Sequence, residues 1–80
     1  MSDPVKPNVL SAEWAQEQFS RLSPAMQADV RTVLAILKAN GGPAATKKLR
    51  ALRVKREWPH WGMLAIRDII GTAWERKLEL

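Results

Sequence analysis

Cysteine is absent from this 80-residue chain, and so is tyrosine. The lack of cysteine excludes disulfides and thiolate metal sites, and it fits a reducing, cytoplasmic setting. A single histidine, His60, leaves zinc dependent on carboxylates, which never cluster at ligand spacing. No apolar run approaches the roughly 18–20 residues of a membrane span. Residues 1–8 hold two prolines and no hydrophobic stretch of signal-peptide type. Catalytic signatures are missing too. No serine, cysteine or second histidine stands at a catalytic spacing from His60, and Gly41-Gly42 reads as a helix terminator rather than a phosphate-cradling loop. An enzyme, a resident cofactor and a small-molecule substrate are therefore not expected.

Acidic residues are missing from one further place. Between residues 47 and 56, six of ten side chains are basic (Lys47, Lys48, Arg50, Arg53, Lys55 and Arg56) and none is acidic. Residues 1–46 carry four basic and four acidic side chains, and residues 57–80 carry three and four, so the net charge of +5 originates in this segment. Charge needed for solubility would be spread, whereas charge facing a polyanion is concentrated. Like charges this dense repel one another by a few tenths of a kcal/mol per helical neighbour pair, and an anionic partner offsets that cost.

What is present reads as helix throughout. The length allows one domain, placed at 11–80 after a flexible polar leader over 1–10. A chain of this size buries roughly 60–70% of its unfolded surface, so its margin is small. Four tryptophans and Phe19 supply bulk for a core. Ser11 can cap a helix over 12–22, with Ala12, Ala15, Phe19 and Leu22 on one face and Trp14 at its edge. Ser23-Pro24 starts a second helix carrying Met26, Val30, Val33, Leu34 and Leu37, which ends at Asn40-Gly41-Gly42. A third spans 43–54, with Ala45, Leu49 and Leu52 as a narrow apolar stripe. Pro59 resets the chain before a fourth helix over 60–77, apolar on a wide arc that includes Met63, Leu64, Ile66, Ile69 and Ile70. Gly71 interrupts this helix, and Thr72 with Glu75 offers a capping box that could restart it. No segment alternates with a two-residue period. The expectation is an all-α bundle of four short helices, five if the last breaks at Gly71. Its fourth helix is either the central one or faces a second copy, and both hold at once in a small symmetric dimer.

The stretch from Val33-Leu34-Ala35-Ile36-Leu37-Lys38-Ala39-Asn40-Gly41-Gly42 into Ala44–Val54 resembles the glycine turn and alanine-rich first motif helix of Fis-type and homeodomain-like bacterial DNA-binding domains. The resemblance covers about twenty residues and implies a helix-turn-helix protein acting on DNA, a regulator or accessory factor. In those families a polar recognition helix follows. Here the next helix offers His60, Arg67 and Asp68 as polar candidates among large apolar residues. Phosphate contacts should then dominate over base readout.

The residues expected to touch nucleic acid are Lys47, Lys48, Arg50, Arg53, Lys55 and Arg56 on phosphates, with His60 and Arg67 toward a groove. Trp58, Trp61 and Trp74 are the candidates for a partner interface, although Trp14 and Trp74 also suit a core, and Trp58-Pro59 a hydrophobic clamp at the bend. Two alternatives stay open. The same basic stretch, ending in tryptophan, suits an inhibitor or adaptor that docks on an acidic protein. Arginine-rich helices also bind RNA.

Overall fold

Two serine hydroxyls start the first two helices of the computed structural model, which describes residues 9–80. Ser11 Oγ accepts the Trp14 N–H at 3.0 Å ahead of α1 (Ala12–Ser20), and Ser23 Oγ accepts the Met26 N–H at 3.3 Å ahead of α2 (Pro24–Asn40). Each satisfies a donor that the helix itself cannot. Two longer-range features follow in chain order, α3 (Gly42–Arg56) and α4 (His60–Arg76). The described residues are all-α, without a strand.

α1 stops two residues short of the expected 22. The Arg21 N–H folds back onto the Glu17 and Gln18 carbonyls, and Gln27 Nε2 donates to the Phe19 carbonyl at 3.0 Å. A single residue, Gly41, joins α2 to α3. It has φ 91° and ψ 179°, a conformation open in practice to glycine alone. α3 and α4 both close on a non-glycine residue in the left-handed region, Glu57 and Lys77. In each case the following amide bonds back five residues, Trp58 to Arg53 and Leu78 to Ala73, and that side chain packs on the core. The expected clamp at the Pro59 bend is thus Trp58.

The core gathers Phe19, Val30, Val33, Leu34, Leu49, Leu52, Met63, Ile66, Ile69 and Ile70. Each of the larger side chains contributes about 1.5–3 kcal/mol through burial. α4 packs against all three other helices, and α2 against α3. The wide apolar arc of α4 is explained by this central position.

Two expectations for α4 are corrected. The helix runs unbroken through Gly71, so the described residues form four helices. Gly71 is buried, in the wall shared with Val33, Leu37 and Ala45, and the roughly 1 kcal/mol lost by glycine in a helix is outweighed by burying Ile69, Ile70 and Ala73 around it. Thr72 does not cap a restart. Its fully buried hydroxyl accepts the Leu10 N–H at 3.0 Å. The leader expected over 1–10 lies outside the described residues as far as residue 8, and its last residue, Leu10, is tied to α4. Among the described residues, no helix is long and apolar enough to cross a membrane.

Candidate nucleic-acid interface

α3 distributes the six cations of the basic segment in three directions. Ala45, Leu49 and Leu52 face the core. Arg56 follows Leu52 by four residues and Leu49 by seven, so it lies on the α2 side of α3, and its side chain, still 38% exposed, reaches across to α2. There Arg56 Nε donates to Asp29 Oδ2 at 3.0 Å, and a terminal Nη donates to Oδ1 at 3.2 Å. Asp29 is one of the few buried polar residues. Through these hydrogen bonds first, and its charge second, it holds the Arg56 guanidinium above arginine's ordinary range. Arg56 was expected on a phosphate. It is instead committed to a two-pronged ion pair between α2 and α3.

Arg50 and Arg53 turn toward α4. With His60 and Arg67 they line an open groove of about 380 Å³ whose remaining walls include Leu49, Val54, Met63 and the Thr46 side chain. No carboxylate stands among the described residues lining it. Arg50 and His60 are exposed, whereas Arg53 and Arg67 are partly buried. Arg53 Nη1 lies 3.9 Å from Met63 Sδ, a weak contact between α3 and α4. Arg67 Nε is enclosed and has no hydrogen-bond partner among the described residues. Lys47 continues this surface, sharing a shallow basin with Arg50, Thr46 and the start of α3.

Lys48 takes the other flank. It borders a second shallow groove with Ile36 and Asn40 of α2. Lys55, seven residues further on, falls on the same side of α3 and is exposed. The last turn of α3 carries Arg53, Lys55 and Arg56, where the helix dipole favours positive charge. Part of the clustering therefore also serves the helix.

The tryptophans do not form one patch. Trp58 is packed against the core. Trp61 is 74% exposed in the first turn of α4, and Trp74 is 44% exposed near its end, so the expectation of a core place for Trp74 is corrected. Thirteen residues of helix separate the two by about 20 Å. Trp74 borders Lys38, Glu75 and Lys77.

The arrangement offers cations, a hydroxyl and an imidazole to an anion, over a partly apolar floor. Among the described residues, no group of histidines and carboxylates could hold a metal ion. Sequence reasoning missed Asp29, Thr46 and Met63. For Asp29 a signal was available, since it lies four residues before Val33 and beside Val30, against the apolar stripe of α2. Comparison with protein-family models, curated proteins and solved structures finds no match to this chain.

Proposed function

We propose that the chain binds nucleic acid, duplex DNA before RNA, by seating the phosphate backbone on Lys47, Arg50, Arg53 and Arg67, with His60 at the groove mouth. One observation carries this reading. Two cations of α3, Arg50 and Arg53, meet the Arg67 guanidinium and the His60 imidazole of α4 in one groove whose described lining holds no carboxylate. Such a surface is sequence-tolerant, because phosphate contacts position a protein without specifying bases. α4 follows the helix-turn-helix-like stretch in chain order, and it is also the helix most enclosed by the bundle. Base contacts from it would be confined to the His60 end. A regulator or accessory factor of this kind would rely on affinity for the backbone.

The test is a salt titration of affinity for a labelled duplex. Four neutralised phosphates give a slope of log affinity against log salt near −3.5. Absence of binding to DNA and RNA at low salt would defeat the proposal. A two-fold pair would present two such faces to one duplex, and light scattering tests that part separately, with a strict monomer as the adverse result.

A second reading is favoured by Val54 and Trp61, 79% and 74% exposed on either side of the α3–α4 corner. An acidic protein could place apolar side chains there and carboxylates on the arginines. Loss of nucleic-acid binding combined with retention by an acidic peptide would select it.

A further inference from the structure

A cavity of about 140 Å³ lies where α2, α3 and α4 meet. Its walls are largely apolar and include Val33, Leu37, Leu49 and Ile70. Gly71, lacking a side chain, forms another part of the wall and so keeps the space open. Two polar side chains reach it, Thr46 and Arg67. Gly42, which is exposed, also borders it and marks an entry from solvent.

The enclosed Nε of Arg67 is the feature that demands a ligand. This nitrogen is shielded from solvent in a side chain that is otherwise partly buried, and it has no acceptor among the described residues. Buried donors are almost always satisfied, and charged ones most strongly. The polar side chains that line the pocket, and could hold a water molecule that enters beside Gly42, are the guanidinium and the Thr46 hydroxyl. A hydrated inorganic anion is poorly matched to walls made of valine, leucine and isoleucine. The chemistry that satisfies both the donor and the walls is an anion with an apolar body. A dry cavity of about 150 Å³ accommodates a benzene ring, which sets the size.

We propose that this cavity binds a small apolar acid, with a branched or aromatic body of about six carbons among Val33, Leu37 and Ile70 and a carboxylate oxygen accepting from Arg67 Nε. Arg67 borders both this cavity and the groove, so a phosphate and the acid would compete for one guanidinium, and the benzoate measurement is made without nucleic acid so that the two readings fail separately.

The experiment uses the whole chain with benzoate as probe, benzyl alcohol as the neutral analogue and acetate as the acid without a body. Benzoate at about ten times its Kd should raise Tm by about 5–10 °C. Acetate at the same concentration should leave Tm unchanged, and benzyl alcohol should bind at least about tenfold more weakly, one charge-assisted hydrogen bond being lost. Arg67→Met, which keeps the apolar stem, should abolish the benzoate effect. Should that variant not fold, the wild-type Arg67 Nε–H resonance serves instead, moving on benzoate saturation while that of Arg50 stays in place. Equal shifts with acetate and benzoate, a benzoate shift that survives Arg67→Met, or an unmoved Arg67 resonance would each overturn the proposal.

Discussion

The backbone N–H of Leu10 donates to the Thr72 hydroxyl across 62 residues of sequence. One helical turn further along α4, Arg76 Nε donates to the Leu10 carbonyl at 3.1 Å. Both backbone groups of the residue before the α1 cap are therefore held by the central helix. This fixes where α1 starts and brings Phe19 and Trp14 onto the core. The segment that follows this same end of α4 is held too, since Arg31 Nε donates to the Leu80 backbone oxygen at 2.8 Å while its guanidinium lies 5.1 Å from the centre of the Phe19 ring.

Thr72→Val keeps the shape of the side chain and removes the acceptor. A part-buried N–H then loses its partner, so the variant should lose about 1–3 kcal/mol of stability. Arg76→Met removes an exposed bond and should cost under about 1 kcal/mol. Urea midpoints read both, with an unchanged slope showing that the denatured state is unaltered. A Thr72→Val variant as stable as the wild type would mean that Leu10 is not anchored this way.

The adjacent glycines of the α2–α3 corner should respond unequally. Gly41 holds φ 91° with ψ 179°, so Gly41→Ala forces an L side chain into a region it avoids and should cost about 1–3 kcal/mol. Gly42 is helical, and a Cβ added there meets nothing within 4 Å beyond its chain neighbours. Gly42→Ala narrows the unfolded ensemble but crowds the Pro43 ring, so its net effect should stay within about 1 kcal/mol of zero. Thermal melts of the two single variants check this, and equal effects would contradict it.

These contrasts mark what the sequence makes legible. Ser11, Ser23-Pro24 and Gly41 act within a few residues of themselves, so the starts of α1 and α2 and the α2–α3 corner follow from local chemistry. Gly71 and Thr72 do not. Their local preference is to break and recap a helix, and it is overridden by burial against α2 and by Leu10, neither of which is near in sequence. The site divides in the same way. The basic segment is visible as composition, and the helical period already puts Arg56 on the Leu49–Leu52 face. Its pairing with Asp29, 27 residues away, needs the packing of α2 on α3. The meeting of Arg50 and Arg53 with Arg67 likewise depends on how α3 and α4 cross.

The Asp29–Arg56 pair should act on stability and leave nucleic-acid binding alone. Asp29→Asn and Arg56→Gln should each lower Tm, and the double variant should lose less than the sum, as expected for groups in contact. The pH behaviour follows from the raised Arg56 value. A base whose proton is held more tightly in the fold adds stability below its unfolded pKa and loses it only as pH rises through the folded one. For arginine that window is strongly alkaline, so this group adds no slope between about pH 6 and about pH 9. Titrating Tm of Arg56→Gln against the wild type over that range should give a constant gap so far as Arg56 is concerned.

Within the nucleic-acid reading, the division of the cations by direction makes the sharpest demand. Arg50→Ala and Arg53→Ala should each flatten the salt slope by about one unit, since each removes one phosphate contact. Their stabilities should differ. Arg50 is exposed and dispensable to the fold, whereas Arg53 is partly buried and touches Met63, so Arg53→Ala should lower Tm measurably. Lys48→Ala and Lys55→Ala, on the α2 flank, should change the slope by less than about half a unit each. Arg56→Gln should change it no more than they do, because its charge is already met by Asp29. The same labelled duplex measures all five variants across a salt series. Equal slope changes for Lys48, Lys55, Arg50 and Arg53 would show a diffuse cationic face in place of the α3–α4 groove, and the groove as the phosphate seat would have to be given up.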